Sequence, residues 1–106
     1  MKRILIVGAG TGGSALLKIL QETEQMEIVA IVDKNPDAKG LLIAKDLDVQ
    51  VGTDWKEWLN EKIEIIIEAT GNEEVLKELF EAEHDAVVIP GTVAYIISEL
   101  FEEKEI

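Results

Sequence analysis

Cysteine is absent from the 106-residue chain. That one absence excludes disulfides, thiolate nucleophiles, iron–sulfur clusters and cysteine-based zinc sites, and it fits a reducing compartment. Histidine occurs once, at His84, among Glu81, Glu83 and Asp85. One imidazole on a polar connection builds neither a histidine metal cage nor a nucleophile–histidine–acid arrangement, so no metal and no catalytic residue is expected. Long hydrophobic runs are missing as well. A bilayer span needs roughly 20 consecutive apolar residues, and Ile4–Val7 behind Lys2 and Arg3 is shorter than the apolar region of a secretory signal. The reading is a cytoplasmic protein with no membrane partner. Positive charge is scarce too: ten Lys and Arg stand against 22 Asp and Glu, a net charge of −12. The deficit sits in one half, because residues 1–50 carry six basic against seven acidic side chains and residues 51–106 carry four against fifteen. Such a chain repels a phosphate backbone, so nucleic acid is excluded as a partner. The acidic half reads as solvated helix faces, or else as a surface for a basic partner.

What remains is ordinary for a globular protein: 47% hydrophobic and 30% charged residues. The length fits one domain over 1–106, large enough to bury a core without a staple. Short apolar runs alternate with amphipathic stretches. Strands are expected at Arg3–Val7, Glu27–Val32, Val49–Val51, Ile63–Ala69 and Ala86–Ile89. Helices are expected between them. The first carries Leu16, Ile19 and Leu20 on its apolar face; the second runs Asp37–Lys45 with Leu41, Leu42 and Ala44 inward. A third begins at Thr53 or Asp54, with Asp54 and Glu57 spaced as a capping box. Glu73–Glu81 packs through Val75, Leu76, Leu79 and Phe80, and the last helix through Val93, Ile96, Ile97, Leu100 and Phe101. Strict β-α alternation implies a parallel sheet covered on both faces, and right-handed crossovers favour the doubly wound strand order 3-2-1-4-5.

Chemistry enters at the first β-α turn. Gly8-Ala9-Gly10-Thr11-Gly12-Gly13 contains the spacing GxGxxG, directly after a strand and directly before a helix. Gly8 suits the tight turn, Gly10 lets a pyrophosphate approach the backbone, and Gly13 lets the helix lie close to the sheet; free N–H groups and the helix dipole then hold phosphates. Asp33 lies 20 residues beyond Gly13, at the end of the second strand, where an acid accepts hydrogen bonds from the adenosine ribose. Its charge disfavours a 2′-phosphate, so NAD is expected over NADP, with Lys34 beside it as a partial offset. Ala69-Thr70-Gly71-Asn72 ends the fourth strand at the switch point of the sheet and is expected to bind the cofactor, with Thr70 and Gly71 on the ribose and nicotinamide side. Asn72 is also placed as a helix N-cap. Pro90-Gly91-Thr92 closes the same rim. Glu68 ends an aliphatic run and reads as a carboxylate met by backbone donors at a helix start, with acid–base work as the alternative. Trp55 and Trp58 read as packing residues. Tyr95 is placed in the core or against a twofold mate, and a homodimer is expected.

The segments Ile4–Gly13, Ile28–Asp33, Thr53-Asp54-Trp55 and Ile65–Gly71 together resemble the N-terminal NAD-binding domain of the Gfo/Idh/MocA oxidoreductases and of homoserine dehydrogenases, over nearly the whole chain. The resemblance implies a Rossmann fold with Gly8, Gly10, Gly13 and Asp33 at cofactor positions. Those enzymes carry a second domain with the substrate site, and no counterpart is expected here. In that respect the chain is similar to small Rossmann modules of bacterial signalling proteins, which implies cofactor sensing rather than turnover. The other expectations are a cofactor domain completed by a fused or partner catalytic domain, and a site for another adenine ligand such as S-adenosylmethionine or CoA.

Overall fold

The computed structural model describes residues 1–104, without the side chains of Ile97, Ser98, Leu100 and residues 101–104. Five strands, β1 (Lys2–Val7), β2 (Met26–Val32), β3 (Gln50–Gly52), β4 (Ile65–Glu68) and β5 (Val87–Pro90), form one sheet in the order β3-β2-β1-β4-β5. Every pairing is parallel. Four α-helices connect or follow them: α1 (Thr11–Gln21), α2 (Lys39–Asp46), α3 (Glu73–Glu81) and α4 (Gly91–Lys104). The fold is therefore the α/β doubly wound, Rossmann-like one that the alternation implies. None of the described helices is long and apolar enough to cross a membrane.

The sheet is aliphatic because both its faces are covered. On one face Ile4, Ile6 and Ile31 meet Leu17, Leu41 and Ala44 of α1 and α2. On the other, Leu5, Val7 and Ile66 meet Val75 and Leu79 of α3, with Trp55 and Trp58 at the margin. Leu17, fully buried, is the anchor of α1; burying one such side chain is worth about 1.5–3 kcal/mol. The register of β1 on β2 slips by one residue between the Ile4/Ile28 pair and the Leu5/Ala30 pair. At that bulge Val29 and the adjacent Ala30 both enter the α3-side core, and Ile31 and Val32 resume the alternation.

Several side-chain expectations are corrected. Leu42 is 57% exposed; α2 buries Gly40, Leu41 and Ala44, and Leu42 lies a further 100° round from Leu41. Phe80 is 59% exposed for the same reason, since α3 reaches the core only through Val75 and Leu79. Among the described side chains of α4 the buried one is Ala94, while Val93, Tyr95 and Ile96 stand exposed; Ile97, Leu100 and Phe101 lie outside the described side chains. The tryptophan helix is a single 3-10 turn, Trp55–Trp58. Asp54 caps it by accepting from Lys56 N at 3.0 Å, so the capping box with Glu57 does not form. Three residues per turn stack positions 55 and 58 on one side, which is how both indoles reach the same core.

Candidate functional site

The chain winds from β1 through β2 to β3 on one side, then crosses to β4 on the other. The carboxyl ends of β1 and β4 therefore bound the crevice in which ligands of open α/β sheets bind. Gly8 leaves β1 with φ of +111°, and its N–H donates to Val32 O at 2.7 Å. A Cβ there would meet Ala69 C and Thr70 N at 2.7 Å, so the loops after β1 and β4 touch backbone to backbone. At Gly13 a Cβ would fall 1.8 Å from Gly8 O, which shows how tightly α1 lies on the end of β1. Gly10 has nothing within 4 Å of its Cβ position. Gly8 and Ala9 are thus buried scaffold, whereas Gly10 and Thr11 are exposed at the mouth of the crevice, with Gly12 half-exposed.

α1 starts at Gly10 with no side-chain cap and no acid in its first turn. α3 differs on both counts: Asn72 Oδ1 accepts from Glu74 N at 2.9 Å, and Glu73 and Glu74 occupy the first turn. Uncapped N–H groups at the positive end of a helix dipole suit an anion, while a capped and acidic start repels one. Of these two helix starts at the crevice, α1 is the one suited to phosphate. Asn72 is the N-cap expected of it.

Asp33 sits half-buried at the end of β2. Its Oδ2 accepts from Ala9 N at 2.8 Å and its Oδ1 from Asn35 N at 2.9 Å. The strand-end acid thus clasps the glycine loop itself, and each oxygen keeps lone-pair capacity toward solvent. Lys34 is exposed beside it. Ala9 is held from its other side too, its carbonyl accepting from Gly40 N at 2.8 Å. A Cβ on Gly40 would stand 2.6 Å from Ala9 O and 2.8 Å from Ser14 Oγ. Gly40 is a residue that sequence reasoning missed; its only signal is a glycine in the first turn of a short helix, which reads equally well as poor helix propensity.

Across the switch point, β4 ends at Glu68, 5% exposed. Its Oε2 accepts from Thr70 N at 2.6 Å, Thr70 Oγ1 at 2.5 Å and Gly71 N at 3.0 Å, so backbone donors meet it as expected of a carboxylate in that place. Thr70 Oγ1 has its proton directed to Glu68 and accepts from Asn72 N at 3.0 Å. What the turn offers a ligand is therefore chiefly main chain. A cavity of about 710 Å³ opens beside it, between Gly12 and Leu16 of α1, Gly71, Leu76 of α3, and Gly91 and Tyr95 of α4. Ala69, half-buried, and Thr92, on the Pro90-Gly91-Thr92 rim, border the same cavity.

His84 lies at the opposite end of the sheet. Its Nδ1 accepts from Ala86 N at 3.0 Å and its Nε2 faces Leu79 O at 2.8 Å, so the ring staples the α3–β5 connection. Among the described residues no group of three His, Asp or Glu side chains gathers at metal-binding distances.

Comparison with known proteins adds three findings. The family model described as dihydrodipicolinate reductase, N-terminus, matches residues 2–99. Acetaldehyde dehydrogenase 2 from Mycolicibacterium vanbaalenii is 33% identical over 76 residues, covering 66% of this chain and 24% of that protein. The chain thus spans about a quarter of the length of the curated relative it matches. Among solved structures, phosphoribosylglycinamide formyltransferase from Anaplasma phagocytophilum superposes with a TM-score of 0.56 at 19% identity, over 84% of this chain and 48% of that one, a likeness of fold alone.

Proposed function

The chain belongs to the family of dihydrodipicolinate reductase N-terminal domains, a family of NAD(P)-binding Rossmann-type domains, and from that premise we propose that it binds NAD(H) in preference to NADP(H). The observation that carries the preference is Asp33: a strand-end carboxylate, clasped to Ala9 N at 2.8 Å, stands where the adenosine ribose would lie and repels a 2′-phosphate. The pyrophosphate lies over Gly10–Gly13 at the uncapped start of α1. β2 and β4 flank β1 on opposite sides, so a dinucleotide with its adenosine over Asp33 carries its nicotinamide half toward Thr70, Gly71 and the 710 Å³ cavity. When bound, the cofactor supplies hydride chemistry; this chain's own residues bind and orient it.

The reductase and dehydrogenase names of the matched family and relative support a role as the cofactor-binding part of an oxidoreductase, with substrate groups supplied from outside this fold. A cofactor-sensing role without turnover is the second reading. It draws on Glu68, the buried carboxylate of the crevice, whose Oε2 is taken up by three hydrogen bonds to its own turn rather than held ready for proton transfer. Exposed Val93, Tyr95 and Ile96 on α4 support a covering partner, a second copy or a companion domain.

Calorimetric titration with NAD, NADH, NADPH, S-adenosylmethionine and CoA tests the reading, on the native chain and on Asp33→Ala. Binding of NAD or NADH, weakened in the variant, is the expected result. A large affinity difference between the two redox forms favours sensing. Silence toward every nicotinamide form, with binding of CoA or S-adenosylmethionine, overturns the assignment.

A further inference from the structure

One buried titratable group lines the 710 Å³ cavity without being assigned a ligand contact above. Glu68 closes the otherwise aliphatic β4 and is 5% exposed. A carboxylate so placed is costly unless hydrogen-bond donors meet it, and an aliphatic residue would finish the strand without that need. α3 does not require it, because Asn72 already supplies the cap. The carboxylate therefore does something the fold alone does not ask for.

What it does is set the course of the next three residues. Glu68 Oε2 takes the N–H of Thr70, the hydroxyl of Thr70 and the N–H of Gly71. Thr70 Oγ1 then accepts from Asn72 N, and Asn72 Oδ1 from Glu74 N. Three side-chain acceptors in succession fix the amides from the end of β4 to the first turn of α3. Between them Gly71 adopts φ of +72°, and one residue earlier the backbone of Ala69 and Thr70 presses on Gly8.

We infer that Glu68 is a positioning residue: its carboxylate holds the Thr70–Gly71 turn where the nicotinamide half of the cofactor meets main-chain groups beside the cavity. The inference rests on the proposed NAD(H) site. The adenosine contact lies on the β2 side of β1, where Asp33 and Gly40 both hold Ala9, so Glu68 bears on the nicotinamide half of the dinucleotide.

The test is calorimetric titration with NAD and with ADP, which lacks the nicotinamide ribose and ring, on the native chain, Glu68→Ala, Glu68→Gln and Thr70→Val. Glu68→Ala is expected to lose about tenfold in NAD affinity, the worth of one hydrogen-bonded contact, while ADP affinity stays unchanged. Glu68→Gln, whose amide oxygen accepts the same bonds, recovers most of the loss. Thr70→Val removes the hydroxyl between Glu68 and Asn72 and gives the same split in smaller measure, which keeps the test alive if Glu68→Ala fails to fold. Equal losses for both ligands, or no loss for either, overturn the inference while the NAD(H) reading stands. A native chain that binds neither ligand overturns that reading, and this inference with it.

Discussion

Two glycines three residues apart in the same loop separate folding from binding. A Cβ at position 13 would stand 1.8 Å from Gly8 O, so α1 and the end of β1 must part by 1.2 Å to reach even the 3.0 Å below which real Cβ contacts essentially never fall. Leu16 and Leu17, 3% and 0% exposed, travel with α1. Overpacking of this kind costs about 1–3 kcal/mol, and loosening two buried leucines adds about 2 kcal/mol more. Against this, alanine in place of glycine returns about 1 kcal/mol of helix propensity. The clash wins, and Gly13→Ala is expected to lose about 2–4 kcal/mol. Domains are stable by about 5–15 kcal/mol in all, and one kcal/mol moves Tm by about 4–8 °C at this size, so Tm falls by at least about 8 °C. Gly10→Ala meets nothing within 4 Å. Its stability stays within about 0.5 kcal/mol of the native chain's, about 2–4 °C in Tm, while the new methyl stands in the path of the pyrophosphate and NAD affinity drops. Thermal unfolding by circular dichroism with NAD titration on both variants decides the matter. A Gly13→Ala protein melting with the native one, or a Gly10→Ala protein melting as low as Gly13→Ala, refutes the reasoning.

Gly40→Ala is expected to push α2 off Ala9 O and Ser14 Oγ, 2.6 and 2.8 Å from the new Cβ, costing about 1–3 kcal/mol in urea unfolding and weakening NAD binding with it. Trp58→Phe is expected to change stability by less than about 1 kcal/mol, because the lost ring area is offset by removal of a buried Nε1–H that has no acceptor among the described residues; a loss on the scale of a large core truncation refutes this. The Arg3 N–H, 3.1 Å from Glu64 Oε1, holds that carboxyl below its ordinary 4.5, helped by the Lys2 ammonium at 3.5 Å and opposed by partial desolvation. A depressed folded value contributes stability that is present above 4.5 and lost as pH falls through the lowered value. The stability gap between the native chain and Glu64→Gln should therefore close on acidification below 4.5, and a gap independent of pH contradicts it.

The strand order and the placement of Gly8–Gly13, Asp33 and Asn72 were legible because each follows from a local rule: aliphatic runs for buried parallel strands, glycine where backbones touch, an acid at a strand end, an amide at a helix start. Facing was less legible. Leu42 and Phe80 sit next to truly buried Leu41 and Leu79, and helices of eight and nine residues bury too narrow a strip to take both neighbours. The Trp55–Trp58 turn carries helical spacing, but three-residue spacing serves a 3-10 turn as well as an α-helix. The Gly40–Ala9 approach was illegible for another reason: it joins parts of the chain whose meeting depends on how α2 seats on the finished sheet. The backbone donors onto Glu68 were legible because they come from the next two or three residues of the same turn.

The slip in β2 bears on how such acids are counted. Distance in sequence from the glycine loop is the usual guide to a ribose-binding carboxylate, yet along a strand what matters is odd or even. A one-residue shift turns every later side chain to the opposite face. With Val29 absorbed in the bulge, Ala30 and Val32 face α3, and Asp33 turns toward Ala9 and the glycine loop. Were the same residues paired regularly, with no bulge, Asp33 would turn to the α3 face and away from Ala9. One residue of irregular pairing near the middle of β2 thus absorbs an extra residue and keeps the strand-end acid on the face of the glycine loop. Deleting Val29 alone would restore regular pairing and leave Asp33 on its present face, so the bulge is the one place in β2 where a single residue can be lost without turning the acid away.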